Sequence, residues 1–106
     1  MPFFSVVIPL YNKENFIEST VKSILNQTFN DYEIVIIDDA STDSSLKIAN
    51  ELASAKVKII NHPINKGLSA TRNTGIEIAS ADYIAFLDAD DCWEATYLET
   101  IASLIN

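Results

Sequence analysis

At 106 residues, with 48% apolar and 21% charged residues, the chain has the composition of one soluble α/β-sized domain and no stretch long enough to span a membrane. A formal net charge of −8 with only seven scattered basic residues excludes a nucleic-acid groove, which needs clustered Lys and Arg. The single cysteine, Cys92, excludes an internal disulfide and a cysteine-built zinc cage.

The opening MPFFSVVIPLYN lacks a basic leader and a small-residue cleavage site, so it reads as a first strand, Phe4 to Pro9, and the expected location is the cytoplasm. A peripheral position at the inner membrane face is the alternative for a full-length protein. Phe16, Ile17, Val21, Ile24 and Leu25 follow helical spacing, with Asn12 available as the cap ahead of them. A second strand runs from Glu33 to Asp38, and a second helix carries Leu46, Ala49, Leu52 and Ala53. The third strand, Val57 to Asn61, leads through His62 to a helix from Gly67 to Ala79. The fourth, Tyr83 to Asp88, precedes a helix with Tyr97, Leu98, Ile101, Leu104 and Ile105 on one face, and the Asp91 to Glu94 spacing imitates a capping box.

This alternation predicts an α/β fold with a mainly parallel sheet and right-handed crossovers, for which the usual strand order is 3-2-1-4. SVVIP, EIVIID and YIAFLD are almost continuously apolar, as strands covered on both faces are. The fourth strand would keep an open edge, for which we expect either further chain or pairing with a second copy as a homodimer.

Six of the eight aspartates stand where apolar runs stop: Asp38, Asp39 and Asp43 after the second strand, and Asp88, Asp90 and Asp91 after the fourth. Carboxylates so placed are costly to hold together without cations or hydrogen-bond donors among them. Ligands of open α/β sheets bind outside the carboxyl ends of the strands, where strand order reverses. The two clusters flank the first strand and should stand roughly 10 Å apart, the span of a base and ribose. With two glycines in all, Gly67 and Gly75, the chain has neither G-x-G-x-x-G nor a Walker A loop. Asp88-Ala89-Asp90 instead suits a hard cation shared with phosphate oxygens. Asp43 and Asp91 read more readily as helix caps, Cys92 as a small half-buried apolar residue, Trp93 as core, and His62 as a strand end without a chemical role. Tyr11 offers an aromatic face for a base, and Arg72, the one arginine, is either a surface ion pair or a cation aimed at the ligand.

Ser5-Val6-Val7-Ile8-Pro9-Leu10-Tyr11-Asn12, Asp38-Asp39-Ala40-Ser41-Thr42-Asp43, Asn65-Lys66-Gly67 with Arg72-Asn73 and Gly75, and Asp88-Ala89-Asp90-Asp91 resemble, in that order, the N-terminal half of a family 2 glycosyltransferase of the GT-A fold. The resemblance implies that residues 1–106 form the Rossmann-like donor half of such a domain, truncated at its C-terminus. It implies a nucleotide-diphosphate sugar donor and a saccharide or lipid-linked acceptor, with Mg²⁺ or Mn²⁺ on Asp90 and Asp88. Asp39 would hold the base, with Tyr11 and its neighbours packed against it, Asp88 would face the ribose or sugar, and Arg72 would contact the nucleotide. The donor set is completed by Pro9, Asn12, Ser41, Lys66, Gly67 and Ala89. The general base is expected outside this chain, and Thr71 replaces the usual alanine ahead of Arg72-Asn73. The alternatives are a receiver-like phosphoacceptor domain around Mg²⁺ and a nucleotide-binding module without catalysis.

Overall fold

The computed structural model describes residues 1–105 as four strands alternating with four helices: β1 (Phe4–Leu10), α1 (Ile17–Leu25), β2 (Tyr32–Asp39), α2 (Ser45–Glu51), β3 (Val57–His62), α3 (Leu68–Ile78), β4 (Tyr83–Phe86) and α4 (Tyr97–Ile105). The strands pair in the order β3-β2-β1-β4, all in parallel. Every residue of β2 is buried, which accounts for its unbroken apolar run.

Alternation along the central strands divides the core in two. Val6, Ile8, Ile34 and Ile36 pack with Ile17, Val21 and Ile24 of α1, Ala49 of α2, and Leu98 and Ala102 of α4. Val7, Val35 and Ile37 face the other way, toward Ile78 near the end of α3. Gly75 permits that second layer: a Cβ there would stand 2.3 Å from Val7 Cγ1 and 3.0 Å from Ile37 Cδ1. Helix and sheet approach closely because the side chain is missing.

The end of the sheet away from the cleft is tied by a buried carboxylate. Glu33 Oε2 accepts hydrogen bonds from the Ser5 hydroxyl and, at 2.7 and 2.8 Å, from the Ser80 N–H and hydroxyl, while Lys58 Nζ lies 2.8 Å from Oε1. Burial works to raise the Glu33 pKa, but these donors outweigh it and hold it down at about 2. At the open edge, β4 pairs with β1 among the described residues and leaves Tyr83 and Phe86 exposed.

Three expectations are corrected. Asn12 does not cap α1, which Phe16 precedes without a side-chain bond; it sits instead at φ 50°, its side chain engaged with the β2–α2 loop. Asp91 lies in a turn closed by its N–H on the Asp88 carbonyl, six positions ahead of α4, so no capping box forms. Gln27 takes that part: its Oε1 accepts the Leu98 N–H at 3.0 Å, a pairing across the fold that local spacing does not encode. Strand β4 stops at Phe86, because Leu87, whose N–H still reaches the Val7 carbonyl, turns the chain toward Asp88.

Candidate functional site

A cavity of about 470 Å³ opens at the carboxyl ends of the strands, where the order turns from β2 through β1 to β4. Pro9, Tyr11 and Lys13 follow from β1, Asp39 from β2, Asn65 and Gly67 from the β3–α3 loop, Leu68 and Thr71 from α3, and Asp88, Ala89 and Asp90 from beyond β4. Parallel strands bring together side chains far apart in sequence, because every carboxyl end lies on the same side of the sheet.

The first aspartate cluster divides at this point. Asp38 and Asp39 are consecutive strand residues, so their side chains leave opposite faces. Asp38 is buried, with Oδ2 accepting the Ser41 N–H at 3.1 Å and Oδ1 without a hydrogen-bond partner among the described residues. Asp39 lines the cavity and is only 4% exposed. Its Oδ1 lies 2.9 Å from His62 Nδ1 and accepts the Lys66 N–H at 2.9 Å, while Oδ2 accepts the Gly67 N–H at 2.9 Å. Burial opposes ionisation, yet the Lys66 N–H, the His62 ring and the Gly67 N–H together lower the Asp39 pKa below the ordinary carboxylate value. The ionised carboxylate thus anchors the β3–α3 loop.

Gly67, the residue before α3, has φ 94°, and a Cβ there would meet nothing within 4 Å. Glycine is required at this turn by backbone conformation, not by space. Thr71 is buried, and its hydroxyl donates to the Gly67 carbonyl at 2.7 Å, so the departure from alanine leaves no unsatisfied group.

The remaining first-cluster residue, Asp43, stands one position before the N-cap Ser44, which makes no side-chain cap bond; its carboxylate accepts the Ser45 N–H at 2.8 Å in a turn leading into α2 and the Glu14 N–H at 3.2 Å, so it joins two loops. Burial acts to raise its pKa, but the Ser45 bonds and the Glu14 N–H lower it. Beside it, Asn12 Oδ1 accepts the Thr42 N–H at 2.8 Å, and the Asn12 N–H donates to Ser41 Oγ at 3.0 Å. Asn12 and Ser41 are therefore loop supports behind Tyr11 and do not line the cavity.

The second cluster stays together. Asp88, Asp90 and Asp91 are exposed, and one carboxylate oxygen from each lies within 4.8 Å of the others. This is a donor set suited to a hard cation that keeps water and phosphate oxygens as its other ligands. Two side-chain cations flank it: Lys13 Nζ stands 3.3 Å from Asp90 Oδ2, and Arg72 Nη2 stands 3.9 Å from Asp88 Oδ1. Both pairs are solvent-exposed and weak, on the order of 1 kcal/mol or less, so a ligand or metal can displace them at small cost.

Arg72 lines a neighbouring cavity of about 320 Å³ with Phe86, Asp88, Asp91, Cys92 and Trp93, its guanidinium 5.8 Å from the Phe86 ring centre. Its Nε is buried without a hydrogen-bond partner among the described residues. Cys92 is exposed, contrary to the half-buried placement expected of it, because the turn after Asp88 carries it outward. Trp93 is partly buried against the core and stacked on Tyr97 at 4.5 Å.

Of the residues singled out in the sequence, Pro9, Tyr11, Asp39, Gly67, Asp88, Ala89 and Asp90 line the main cavity, while Lys66 joins it through its N–H on Asp39. Sequence reasoning missed Lys13 and the attachment of His62 to Asp39, and it named Asn65 within the resemblance without giving it a role of its own. Lysine and asparagine in loops are too common to stand out, and His62 gains meaning only from the β2–β3 register, which sets it beside Asp39.

The profile of the family described as "Glycosyl transferase family 2" matches residues 5–106. An uncharacterized glycosyltransferase of Haemophilus influenzae is 43% identical over 93 residues, covering 86% of this chain and 37% of the relative. The Escherichia coli protein WfgD, named a UDP-Glc:alpha-D-GlcNAc-diphosphoundecaprenol beta-1,3-glucosyltransferase, is 36% identical over 101 residues, covering 95% of this chain and 40% of the relative. Staphylococcus aureus TarS 1–349 in complex with UDP-GlcNAc superimposes with a TM-score of 0.90 at 31% identity, over 97% of this chain and 31% of that one. The mannosyltransferase PcManGT of Pyrobaculum calidifontis, in complex with GDP-Man and Mn²⁺, gives a TM-score of 0.85 at 25% identity, over 98% and 31% of the two chains. The chain thus spans about two fifths of the two curated relatives described, 37% and 40% of their lengths. With the family profile matched from Ser5 to the last residue, the chain belongs to glycosyl transferase family 2.

Proposed function

We propose that this chain binds the nucleotide-diphosphate sugar donor of a glycosyltransferase. The observation that carries the reading is a single cavity joining the buried, ionised Asp39 to the exposed Asp88-Ala89-Asp90 segment across the end of β1. Asp39 accepts an N–H of the base, and Tyr11, 46% exposed, offers a ring for packing against it. Asp88 faces the ribose or sugar, Arg72 contacts the nucleotide, and Lys66 and Gly67 shape the wall between them. Asp90 and Asp88 hold Mg²⁺ or Mn²⁺, and Asp91 stands close enough to contribute. When bound, the metal supplies charge neutralisation for the departing diphosphate. That PcManGT was solved in complex with both GDP-Man and Mn²⁺ supports a metal-assisted nucleotide-sugar site.

The proposed reaction is a single displacement. An acceptor hydroxyl forms the new bond to the anomeric carbon as the bond to the diphosphate breaks, with inversion at that carbon. The acceptor, by analogy with WfgD, is a saccharide or a lipid-linked saccharide. The base that removes the hydroxyl proton is assigned to sequence beyond these residues, so the isolated chain binds donor without transferring sugar. No helix among the described residues is long and apolar enough to cross a membrane, and we place the protein in the cytoplasm. Pairing of two copies through the β4 edge belongs to the same proposal.

Calorimetric titration with UDP-GlcNAc and GDP-Man, with and without Mn²⁺, tests the reading. We expect metal-dependent binding to one of them, weakened at least about tenfold in Asp90→Asn, since losing one charged ligand typically removes 1–3 kcal/mol. The absence of metal-dependent binding to either donor overturns the assignment of Asp90. Binding without transfer to any acceptor, even in a longer chain, would favour a non-catalytic module.

A further inference from the structure

One buried ring outside the proposed donor contacts connects two of the elements that supply them. His62, at the end of β3, is 5% exposed. Its Nδ1 lies 2.9 Å from Asp39 Oδ1, and its Nε2 lies 2.8 Å from the Thr74 hydroxyl on α3. Proton counting orients the ring. Asp39 is an ionised acceptor that already takes the Lys66 N–H, so the hydrogen on the Asp39–His62 contact resides on Nδ1.

Thr74 has one hydroxyl proton and two acceptors in reach, His62 Nε2 and the Ala70 carbonyl at 3.1 Å. Directed at Nε2, that proton leaves a neutral ring with its own proton on Nδ1. Directed at Ala70, it requires a second proton on Nε2 and a cationic ring. Both arrangements present Nδ1–H to Asp39, so the donor is always there.

We propose that His62 is a positioning residue for donor recognition: its Nδ1–H clamps the Asp39 carboxylate in one rotamer, with the Thr74 hydroxyl of α3 on the far side of the ring. This rests on the donor-site reading of Asp39. With Oδ1 held by His62 and Lys66, and Oδ2 by Gly67 alone, a lone pair on Oδ2 stays available to a nucleotide N–H. Without the ring, Asp39 retains two backbone donors from a single loop, and both carboxylate and loop gain freedom that binding must remove.

Three substitutions separate positioning from bulk. Asn at position 62 places an amide nitrogen near Nδ1, Gln places one near Nε2, and Leu supplies neither. We would measure UDP and GDP affinity calorimetrically, amide exchange at Lys66, Gly67 and, as a fold control, Val7, and the ¹⁵N spectrum of the wild-type ring. We expect Nδ1 protonated, His62→Leu and His62→Gln weakened about tenfold or more, and His62→Asn within about threefold, the scale of one lost or kept hydrogen bond to a charged group. Exchange at Lys66 and Gly67 should quicken in the Leu and Gln variants alone, with Val7 unchanged. An unprotonated Nδ1, equal affinity in all variants, or a Gln variant as good as the Asn one overturns the proposal. Where a variant fails to fold, Thr74→Val, which removes the distal partner and spares Nδ1–H, replaces it: a loss within about threefold with Lys66 exchange unchanged supports the clamp on Asp39, and a full loss overturns it. If the wild type binds neither nucleotide, the donor reading and with it recognition through His62 both fail. The exchange data then show independently whether the ring clamps the loop.

Discussion

The carboxylate of Glu33 gives the clearest quantitative test of this fold. It is held at about 2 against an ordinary 4.5, because Lys58, Ser5 and Ser80 outweigh its burial. A depression of that size corresponds to about 3 kcal/mol of differential stabilisation of the charged form. The sign follows from a folded-state pKa below the unfolded one. The contribution is complete above pH 4.5 and drains away as pH falls from there to about 2. A domain of this size holds about 5–15 kcal/mol in total, so the loss is large. Urea denaturation of wild type and Glu33→Gln at a series of pH values isolates the term, since acids elsewhere affect both proteins alike. We expect the variant to be less stable by about 2–3 kcal/mol at pH 7, with the two curves converging toward pH 2. Curves that run parallel through the acid range would refute the network as the source of the depression.

Other perturbations follow from single contacts. Gly75→Ala should lose stability although alanine is the better helix former by about 1 kcal/mol, because its Cβ meets Val7 Cγ1 at 2.3 Å and overpacking costs about 1–3 kcal/mol or more. Added Val7→Ala should recover part of the loss in thermal unfolding, and a simply more stable Gly75→Ala would contradict the close approach. Asn12→Ala removes the acceptor of the Thr42 N–H and strains φ 50°, for an expected cost of about 1–2 kcal/mol; Asn12→Gly should regain only the backbone part, read by denaturant midpoint.

Residue order alone determined the alternating α/β architecture and the placing of acidic segments at strand ends, while the order 3-2-1-4, the usual one for such sheets, is settled by the strand pairing. The architecture and the placing depend on apolar runs, helical spacing and short connections, which are local or statistical. The DxD-like segment was legible for the same reason: Asp88 and Asp90 are neighbours in sequence and stay neighbours in space.

The tertiary structure decided which acids face the cleft. Asp38 and Asp39 read alike as letters, yet strand pleating sends one into the core and leaves the other against the β3–α3 loop. Pairing across elements decided the rest: Gln27 and not Asp91 receives the first turn of α4, and His62, which the sequence offers only as a strand end, meets Asp39 only once β3 lies alongside β2. Such contacts depend on register between distant segments, so no window of the chain contains them.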